Sequence, residues 1–485
     1  MLVAPRSPRP PLPGRTADLR SRISSHRLLT LPALFAFVLI ASSCSSSPDR
    51  DHASRVCPSP ELTLRGIHPD FQAGPKAHAV RRGIEWQIRH FARQGYFTRF
   101  AAAVVIGDRV AYRYLYNTKP EWVFGTASIT KTFTALAVMR LVSAGKARLD
   151  DPVRKHLPEL QIASEVLGSD PVTIRDLLSH TSGLPDMRYY EPRYWRTAHG
   201  VSYPNQVYPT GLHYRYSNHG FIILGRLVEE LSGMSLSDFM HRNVFRPLCM
   251  PHARTSRRHS GAQGVNVSID DLAHYASFWL QAGRTPRGTR LLRVATVAEM
   301  LRPRTVIPYG ENQRFAGLGW RVRRSGETVA TFFHIGGAPY VTAWIQMFPE
   351  ANAAILYLGN PPKIDLKFGH FYTSMQKRLA TLATRLVEAG RPLHFFQADR
   401  PNHDQLRRYT GLYRSPRTGQ RLRAYLRRGR LYITGPEGFA RLYPFSTHVF
   451  QGGEDYTFID FVYRSAEQDH PTAIATHYGY FQRME

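Results

Sequence analysis

The stretch TASITKTF, residues 126–133, decides how this sequence is interpreted. It places Ser128 and Lys131 three residues apart at the start of an apolar segment with helical spacing. Positions i and i+3 of a helix lie on one face, so the lysine amine can reach the serine hydroxyl. A serine hydroxyl is a weak nucleophile that needs a neighbouring base, and N–H groups at a helix N-terminus suit an oxyanion. The stretch therefore predicts a catalytic pair.

The pair alone leaves another interpretation open, in which Ser128 caps a helix and the lysine is solvated. Two further motifs favour catalysis: Tyr-Ser-Asn at 216–218, before a predicted helix, and His-Ile-Gly-Gly at 334–337, at the start of two predicted strands. Each motif has a structural alternative. Tyr216 could be a core aromatic and Asn218 a helix N-cap, and the two glycines could form a bulge.

The three motifs together, in this order, resemble the serine β-lactamase and penicillin-binding-protein superfamily, specifically its class C-like branch of D,D-peptidases and esterases. Residues 149–160, 172–186 and 317–320 are also similar to that branch, and the resemblance covers most of residues 80–390. It implies an α/β (α+β) fold of β-lactamase/transpeptidase type. In that fold an antiparallel sheet is flanked by helices and accompanied by an all-helical subdomain.

The resemblance also implies a role for each matched residue. Ser128 would be the acylated nucleophile and Lys131 its proton partner. Tyr216 would help to abstract the serine proton and later protonate the leaving group or activate water. A tyrosine with its normal pKa near 10 can serve as a base only if cations such as Lys131 stabilise its phenolate. Asn218 would hydrogen-bond the substrate amide and Lys131.

The strand motif would form the substrate-binding side through His334, Gly336 and Gly337. The backbone N–H groups of Ser128 and Gly337 would make the oxyanion hole. The motif begins with histidine where the family more often has lysine, and histidine is mostly neutral at pH 7 and binds a carboxylate less strongly. Peptides, β-lactams and small esters all remain candidate substrates, and no metal or organic cofactor is implied. His180 is interpreted as a loop anchor without a catalytic role.

The elements along the chain fit this fold. Residues 83–95 predict an amphipathic helix, residues 99–116 a hairpin and residues 340–360 two further strands. Because strands stand at both ends with helices between them, the ends are expected to meet in one antiparallel sheet. The predicted organisation is a signal peptide with a possible lipobox at 1–44, a tether at 45–79, a β-lactamase-like serine hydrolase domain at 80–395 and a small β, lipocalin-like domain at 400–485.

The N-terminal segment 26–44 is a basic flank followed by an apolar run of export-signal length that ends at Cys44. It resembles a lipobox, which implies a lipid anchor in the membrane and a location in the cell envelope, either as a lipoprotein or in the periplasm. The alternatives are an ordinary cleaved signal and an uncleaved anchor. Cys57 and Cys249 could form a disulfide or be two separate buried thiols.

The chain carries 64 basic and 36 acidic residues, a formal net charge of +28. Its arginines are scattered rather than gathered in a nucleic-acid motif, which argues against nucleic acid as a partner. An anionic cell-envelope surface, such as a cell-wall polymer, is the milder explanation, and an arginine-biased composition without any such partner is the alternative. The sequence thus predicts an exported serine hydrolase acting through an acyl-enzyme on a small-molecule or peptide substrate. The alternative is a catalytically retired β-lactamase-like binding protein of the cell envelope.

Overall fold

The computed structural model describes most of the chain between residues 75 and 484. The described ranges are 75–160, 170–184, 213–307, 314–325, 328–361, 378–383 and, with short gaps, 403–484, together with a few single positions. The predicted signal peptide with Cys44, most of the predicted tether and Cys57 lie outside these ranges. The described residues belong to one unit, Asp51–Glu485.

The hydrolase-like part of the chain contains two antiparallel sheets. Their strands are β1 (Phe100–Ile106), β2 (Arg109–Tyr116), β3 (Phe124–Gly125), β4 (Arg254–Ser260), β5 (Gln263–Val267), β6 (Arg314–Ala316), β7 (Arg321–Ser325), β8 (Thr328–Ala338), β9 (Val341–Phe348) and β10 (Ala353–Gly359). The large sheet has the order β2-β1-β10-β9-β8-β7-β6, and the small sheet has the order β3-β5-β4. Phe100 of β1 pairs with Gly359 of β10, so the predicted meeting of the two ends is confirmed.

Helices lie between the strands in sequence. They are α1 (Pro75–Arg93), α2 (Thr130–Ser143), α3 (Ile174–Ser179), α4 (Asn218–Ser232), α5 (Leu236–Met240), α6 (Ile269–Leu280) and α7 (Val294–Leu301). The shorter helical turns are Ala127–Ile129, Val153–Lys155, His241–Phe245 and Pro349–Ala351. None of the helices in the described ranges combines the length and apolarity needed to cross a membrane.

The two faces of the large sheet cover separate cores because side chains alternate along each strand. On β1, Ala101 and Ala103 face a core that includes Phe133 of α2. Ala102 and Val104 face the other core, which includes Ile84 of α1. This sandwich of helices and antiparallel strands confirms the fold class predicted from the sequence.

Most side chains of helix α2 are buried. Phe133 and Leu136, which the sequence indicated as its core face, are fully buried, but so are Thr130, Lys131 and Thr134. A helix that is buried on all sides normally lacks charged groups. The polar residues on α2 must therefore be paired inside the protein.

The C-terminal strands close into a barrel. They are β11 (Gly411–Arg414), β12 (Arg421–Arg427), β13 (Arg430–Gly435), β14 (Gly438–Pro444), β15 (Val449–Gly452), β16 (Thr457–Val462), β17 (Ala473–Thr476) and β18 (Gly479–Arg483), preceded by the short helix His403–Leu406. The first and last strands pair at Tyr413 and Arg483. Its core contains Tyr413 and Phe461. The boundaries of the four predicted segments stay predictions.

Cys249 is disulfide-bonded. The two other cysteines of the chain, Cys44 and Cys57, both lie outside the described residues. Cys249 is therefore not a separate buried thiol, and that alternative is wrong. Its pairing with Cys57 stays a prediction.

Candidate active site

Ser128 lies in the 3-10 turn Ala127–Ile129, directly before α2. The sequence placed it at the start of the helix, whereas the α-helix itself begins at Thr130. Ala127 has a φ of 44°, in the left-handed region that costs energy for a residue with a Cβ atom. Lys131 lies three residues further on, in the first turn of α2, and its Nζ atom is 3.2 Å from the Ser128 Oγ atom.

Lys131 is fully buried, and its ammonium group meets three oxygen atoms. Besides the Ser128 hydroxyl, Nζ donates to the Asn218 Oδ1 atom at 2.6 Å and to the Ala262 carbonyl at 2.9 Å. An ammonium group has three N–H donors and no acceptor, so three oxygens match its hydrogen-bonding capacity. Burial of a lysine without such partners would be costly.

The hairpin of β4 and β5 holds the Ala262 carbonyl in place. The hydroxyl of Thr134 donates to the Gly261 carbonyl at 2.7 Å, and the Val265 N–H donates to the Thr130 hydroxyl at 3.1 Å. These bonds join α2 to the hairpin on both sides of residue 262. The threonines of α2 therefore fix the distance between the lysine and its backbone acceptor.

Tyr216 donates from its hydroxyl to the Ser128 Oγ atom at 2.8 Å. Two cations lie near its ring: the Lys131 Nζ atom is 4.8 Å from the ring centroid, and the Arg321 guanidinium carbon is 6.0 Å from it. Positive charges near a phenol favour its ionised form. The serine hydroxyl thus contacts two groups that can exchange protons with it.

Asn218 is the first residue of α4, and Ser217 is the N-cap, since its hydroxyl accepts the Gly220 N–H at 3.2 Å. The alternative that Asn218 itself caps the helix is wrong. Because Ser217 satisfies the helix end, the Asn218 side chain is not used as a cap and instead contacts Lys131. Four of the residues indicated by the sequence, Ser128, Lys131, Tyr216 and Asn218, are therefore joined by hydrogen bonds.

Strand β8 passes directly beside the Ser128 turn. An ideal Cβ atom on Gly336 would lie 2.1 Å from the Thr126 carbonyl oxygen, so only glycine permits this approach. Gly337 is exposed, and a Cβ atom there would have no neighbour within 4 Å. The pairing of β8 with β9 runs without interruption through both glycines, so the alternative of a bulge is wrong.

His334 is buried on the same strand, and its Nδ1 atom lies 2.9 Å from the Ile335 carbonyl oxygen. A carbonyl can only accept, so Nδ1 carries the proton. Burial, and then the nearby charges of Arg321 and Lys131, hold the pKa of His334 well below its usual value. The strand motif therefore presents an uncharged imidazole at neutral pH.

Sequence reasoning missed Arg321 of β7 and the Ala262 carbonyl. Arg321 is one of many arginines in a basic chain, and a backbone carbonyl has no sequence signature, so neither gave a signal. His180, interpreted as a loop anchor, bonds to the segment that carries Tyr216, because its Nδ1 atom accepts the Ser217 N–H at 3.1 Å.

Within the described ranges, no group of three or more His, Cys, Asp or Glu side chains could hold a metal ion. Cys44, the predicted lipidation site, lies outside those ranges.

Comparison with known proteins identifies similar chains. The family model described as Beta-lactamase matches residues 87–365. Penicillin-binding protein 4 of Amycolatopsis lactamdurans is 29% identical over 277 residues, 49% of this chain and 72% of that protein. Penicillin-binding protein 4* of Bacillus subtilis is 31% identical over 169 residues, 33% of this chain and 34% of that protein. The structure of the octameric penicillin-binding protein homologue from Pyrococcus abyssi, 18% identical, covers 82% of this chain and 98% of its own with a TM-score of 0.53.

Proposed function

Because this chain belongs to the beta-lactamase family, whose model spans more than half of it, we propose that it is a serine hydrolase that acts through an acyl-enzyme. The observation that carries the proposal is the contact of the Ser128 Oγ atom with both the Tyr216 hydroxyl, at 2.8 Å, and the Lys131 amine, at 3.2 Å. A nucleophile within hydrogen-bond reach of its base, which is itself oriented by further groups, is the general signature of covalent catalysis.

In the proposed reaction the Ser128 oxygen attacks a peptide, lactam or ester carbonyl carbon. In the reactive form of the Tyr216 and Lys131 pair, the tyrosine is a phenolate that the positive charges of Lys131 and Arg321 stabilise, and this phenolate takes the serine proton. A well-placed general base of this kind contributes about 10²–10⁴ in rate. The carbonyl oxygen becomes an oxyanion that the N–H groups of Ser128 and Gly337 stabilise. When the bond to the leaving group breaks, the same pair returns the proton to that group. Water then attacks the acyl-enzyme and restores the serine.

The charges around the site indicate that a substrate carboxylate would be attracted by Arg321 and not by His334. His334 is neutral and its one ring proton, on Nδ1, is directed to the Ile335 carbonyl, so it would offer a substrate carboxylate neither a charge nor a second N–H. Arg321 carries a permanent positive charge that acts on His334 and also faces Tyr216. A carboxylate-bearing peptide or opened lactam would be attracted by the arginine, whereas a small neutral ester would need neither group.

Intact-mass spectrometry tests the mechanism. The protein is mixed briefly with a penicillin or an aryl ester, beside Ser128→Ala and beside Ser277→Ala, a buried serine of α6 that serves as the control. We expect a covalent adduct with the parent and with the control, and none with Ser128→Ala. A persistent penicillin adduct would indicate a peptidase, and a rapidly lost one with opened drug would indicate a lactamase. Unchanged ester turnover by Ser128→Ala would refute the mechanism.

A catalytically retired binding protein is the competing function. It would give no adduct with any carbonyl reagent while still binding a cell-wall polymer. The hydrogen-bonded set of Ser128, Lys131, Tyr216 and Asn218 argues against it, because a site without chemistry has no need to keep these groups together.

We further propose that the protein is exported and anchored through a lipid on Cys44. The support is the apolar segment that ends at this cysteine and the similarity to penicillin-binding proteins. Cys44→Ser should move the protein from the membrane fraction to the soluble fraction, with Cys57→Ser as the matched control. Continued sedimentation of the Cys44 variant with membranes would exclude the lipid anchor.

A further inference from the structure

His180 accepts hydrogen bonds from the backbone N–H groups on both sides of Tyr216. The carbonyl of His180 accepts the Arg215 N–H at 2.7 Å, and its Nδ1 atom accepts the Ser217 N–H at 3.1 Å. The residues on both sides of Tyr216 are thus bonded to one histidine. We propose that His180 is a positioning residue, which holds the Tyr216 phenol at the Ser128 hydroxyl for proton transfer. This inference rests on the proposed hydrolase function.

The imidazole ring also packs against the tyrosine. Its centroid lies 4.6 Å from that of the Tyr216 ring and 4.9 Å from that of Phe221 on α4. The Tyr214 ring meets the same imidazole edge-on at 5.5 Å. His180 is only 6% exposed, so the aromatic contacts are part of the packed interior. These ring contacts restrict rotation of the Tyr216 phenol, which the two hydrogen bonds to the backbone would not do by themselves.

The position of His180 is itself fixed by α3. It is the C-cap of that helix and has φ 60° and ψ 35°, in the left-handed region. The next residue, Thr181, donates from its N–H to the Asp176 carbonyl at 2.9 Å and from its hydroxyl to the Asp176 carboxylate at 2.8 Å. Asp176 also forms a capping box with Thr173 at the other end of this short helix. The helix therefore serves as a rigid support for the histidine.

The hydrogen bond requires the neutral form of His180. Nδ1 can accept an N–H only when it carries no proton, so the ring proton is on Nε2. Charged or titratable groups face the ring from three elements: Lys131 of α2, His334 of β8 and Arg321 of β7. Together with burial, which is the largest cause, they hold the pKa of His180 well below its usual value. The imidazole therefore keeps its acceptor throughout the neutral range and acts through Tyr216, not as a base.

A double-mutant cycle on acylation by an aryl ester tests this role. His180→Ala removes the acceptor and the ring, whereas His180→Asn keeps an acceptor oxygen close to the Nδ1 position and tolerates a left-handed backbone. We expect His180→Ala to lower kcat/KM about 10²-fold, the effect of a displacement of about 1 Å in an active site, and His180→Asn to recover at least about tenfold. In the Tyr216→Phe background, His180→Ala should lower kcat/KM by less than about a further twofold, because the two residues act as a unit.

The controls separate positioning from general stability. His274→Ala removes another buried histidine, which contacts the Cys249 carbonyl, and should lower the melting temperature without lowering kcat/KM. If His180→Ala does not fold, His180→Gln is compared with His180→Asn instead. The glutamine side-chain oxygen lies one bond further from the backbone than the asparagine oxygen, so it cannot replace the Nδ1 acceptor in place. Independent, multiplying effects of His180 and Tyr216, or an asparagine variant no better than alanine, would overturn the inference. If Tyr216→Phe acylates normally, the proposed mechanism fails as well.

Discussion

The close approach of β8 to the Ser128 turn predicts that alanine substitutions at two adjacent glycines will have very different effects on the acylation rate. In Gly336→Ala the new Cβ atom would lie 2.1 Å from the Thr126 carbonyl oxygen, although real Cβ atoms essentially never approach another atom within 3.0 Å. The strand and the turn would have to separate by about 0.9 Å. Strand β8 is held at Gly336 by its pairing with β9, whereas Ser128 lies in a 3-10 turn, so that turn is the part that gives way.

The separation sets the expected magnitude. A shift of about 1 Å between reacting groups costs about 10²-fold in rate, and loss of one oxyanion donor costs about 10²–10³-fold. We therefore expect Gly336→Ala to lower the acylation rate about 10²-fold. The overpacking should also lower the free energy of unfolding by about 1–3 kcal/mol.

The assay is the pre-steady-state acylation rate with an aryl ester, measured beside the urea midpoint of each variant. Gly337→Ala is the matched control, because its Cβ atom would meet nothing within 4 Å and its backbone N–H is kept. It should acylate within a few-fold of the parent. The reasoning is refuted if folded Gly336→Ala acylates at the parent rate, or if the two variants lose activity equally.

Two further predictions concern ionisable groups, one fully buried and one partly buried. Lys131→Met should lower acylation about 10²–10⁴-fold in the same assay, because it removes the amine from Ser128 and leaves the Asn218 and Ala262 oxygens without their donor. Burial lowers the pKa of His259 to about 4, so the unfolded chain binds more protons between pH 4 and 6.5. Stability should therefore fall as the pH drops through this range, by up to about 1.4 kcal/mol per pH unit, and His259→Gln should flatten that slope in urea titrations.

The local part of the site could be predicted from the sequence. The spacing of Ser128 and Lys131 fixes their relative position through backbone geometry alone, and the hairpin of β1 and β2 follows from two apolar runs around Gly107. The periodicity of α2 indicated one apolar face but not its burial on every side. That burial depends on the β4–β5 hairpin, whose contacts with the helix come from residues more than a hundred positions away.

The parts that escaped prediction depend on tertiary register. Arg321 faces Tyr216 only because β7 pairs beside β8, which brings Arg321 opposite Phe333. The same holds for His180, whose two bonds to the Tyr216 segment cross more than thirty positions of sequence. Neither contact follows from spacing or composition, because each requires the whole sheet and its helices to be in place.

The pairing of β1 with β10 has a consequence for synthesis. Phe100 leaves the ribosome long before its partner Gly359, and the turn of Ser128 likewise precedes Gly336, against which it packs. Closing so long a loop costs only slightly more entropy than closing a shorter one, but contacts between distant residues slow folding markedly. Ser128, the proposed nucleophile, is therefore made long before the groups that surround it, and the proposed site can assemble only after the last strand of the sheet, β10, has been made.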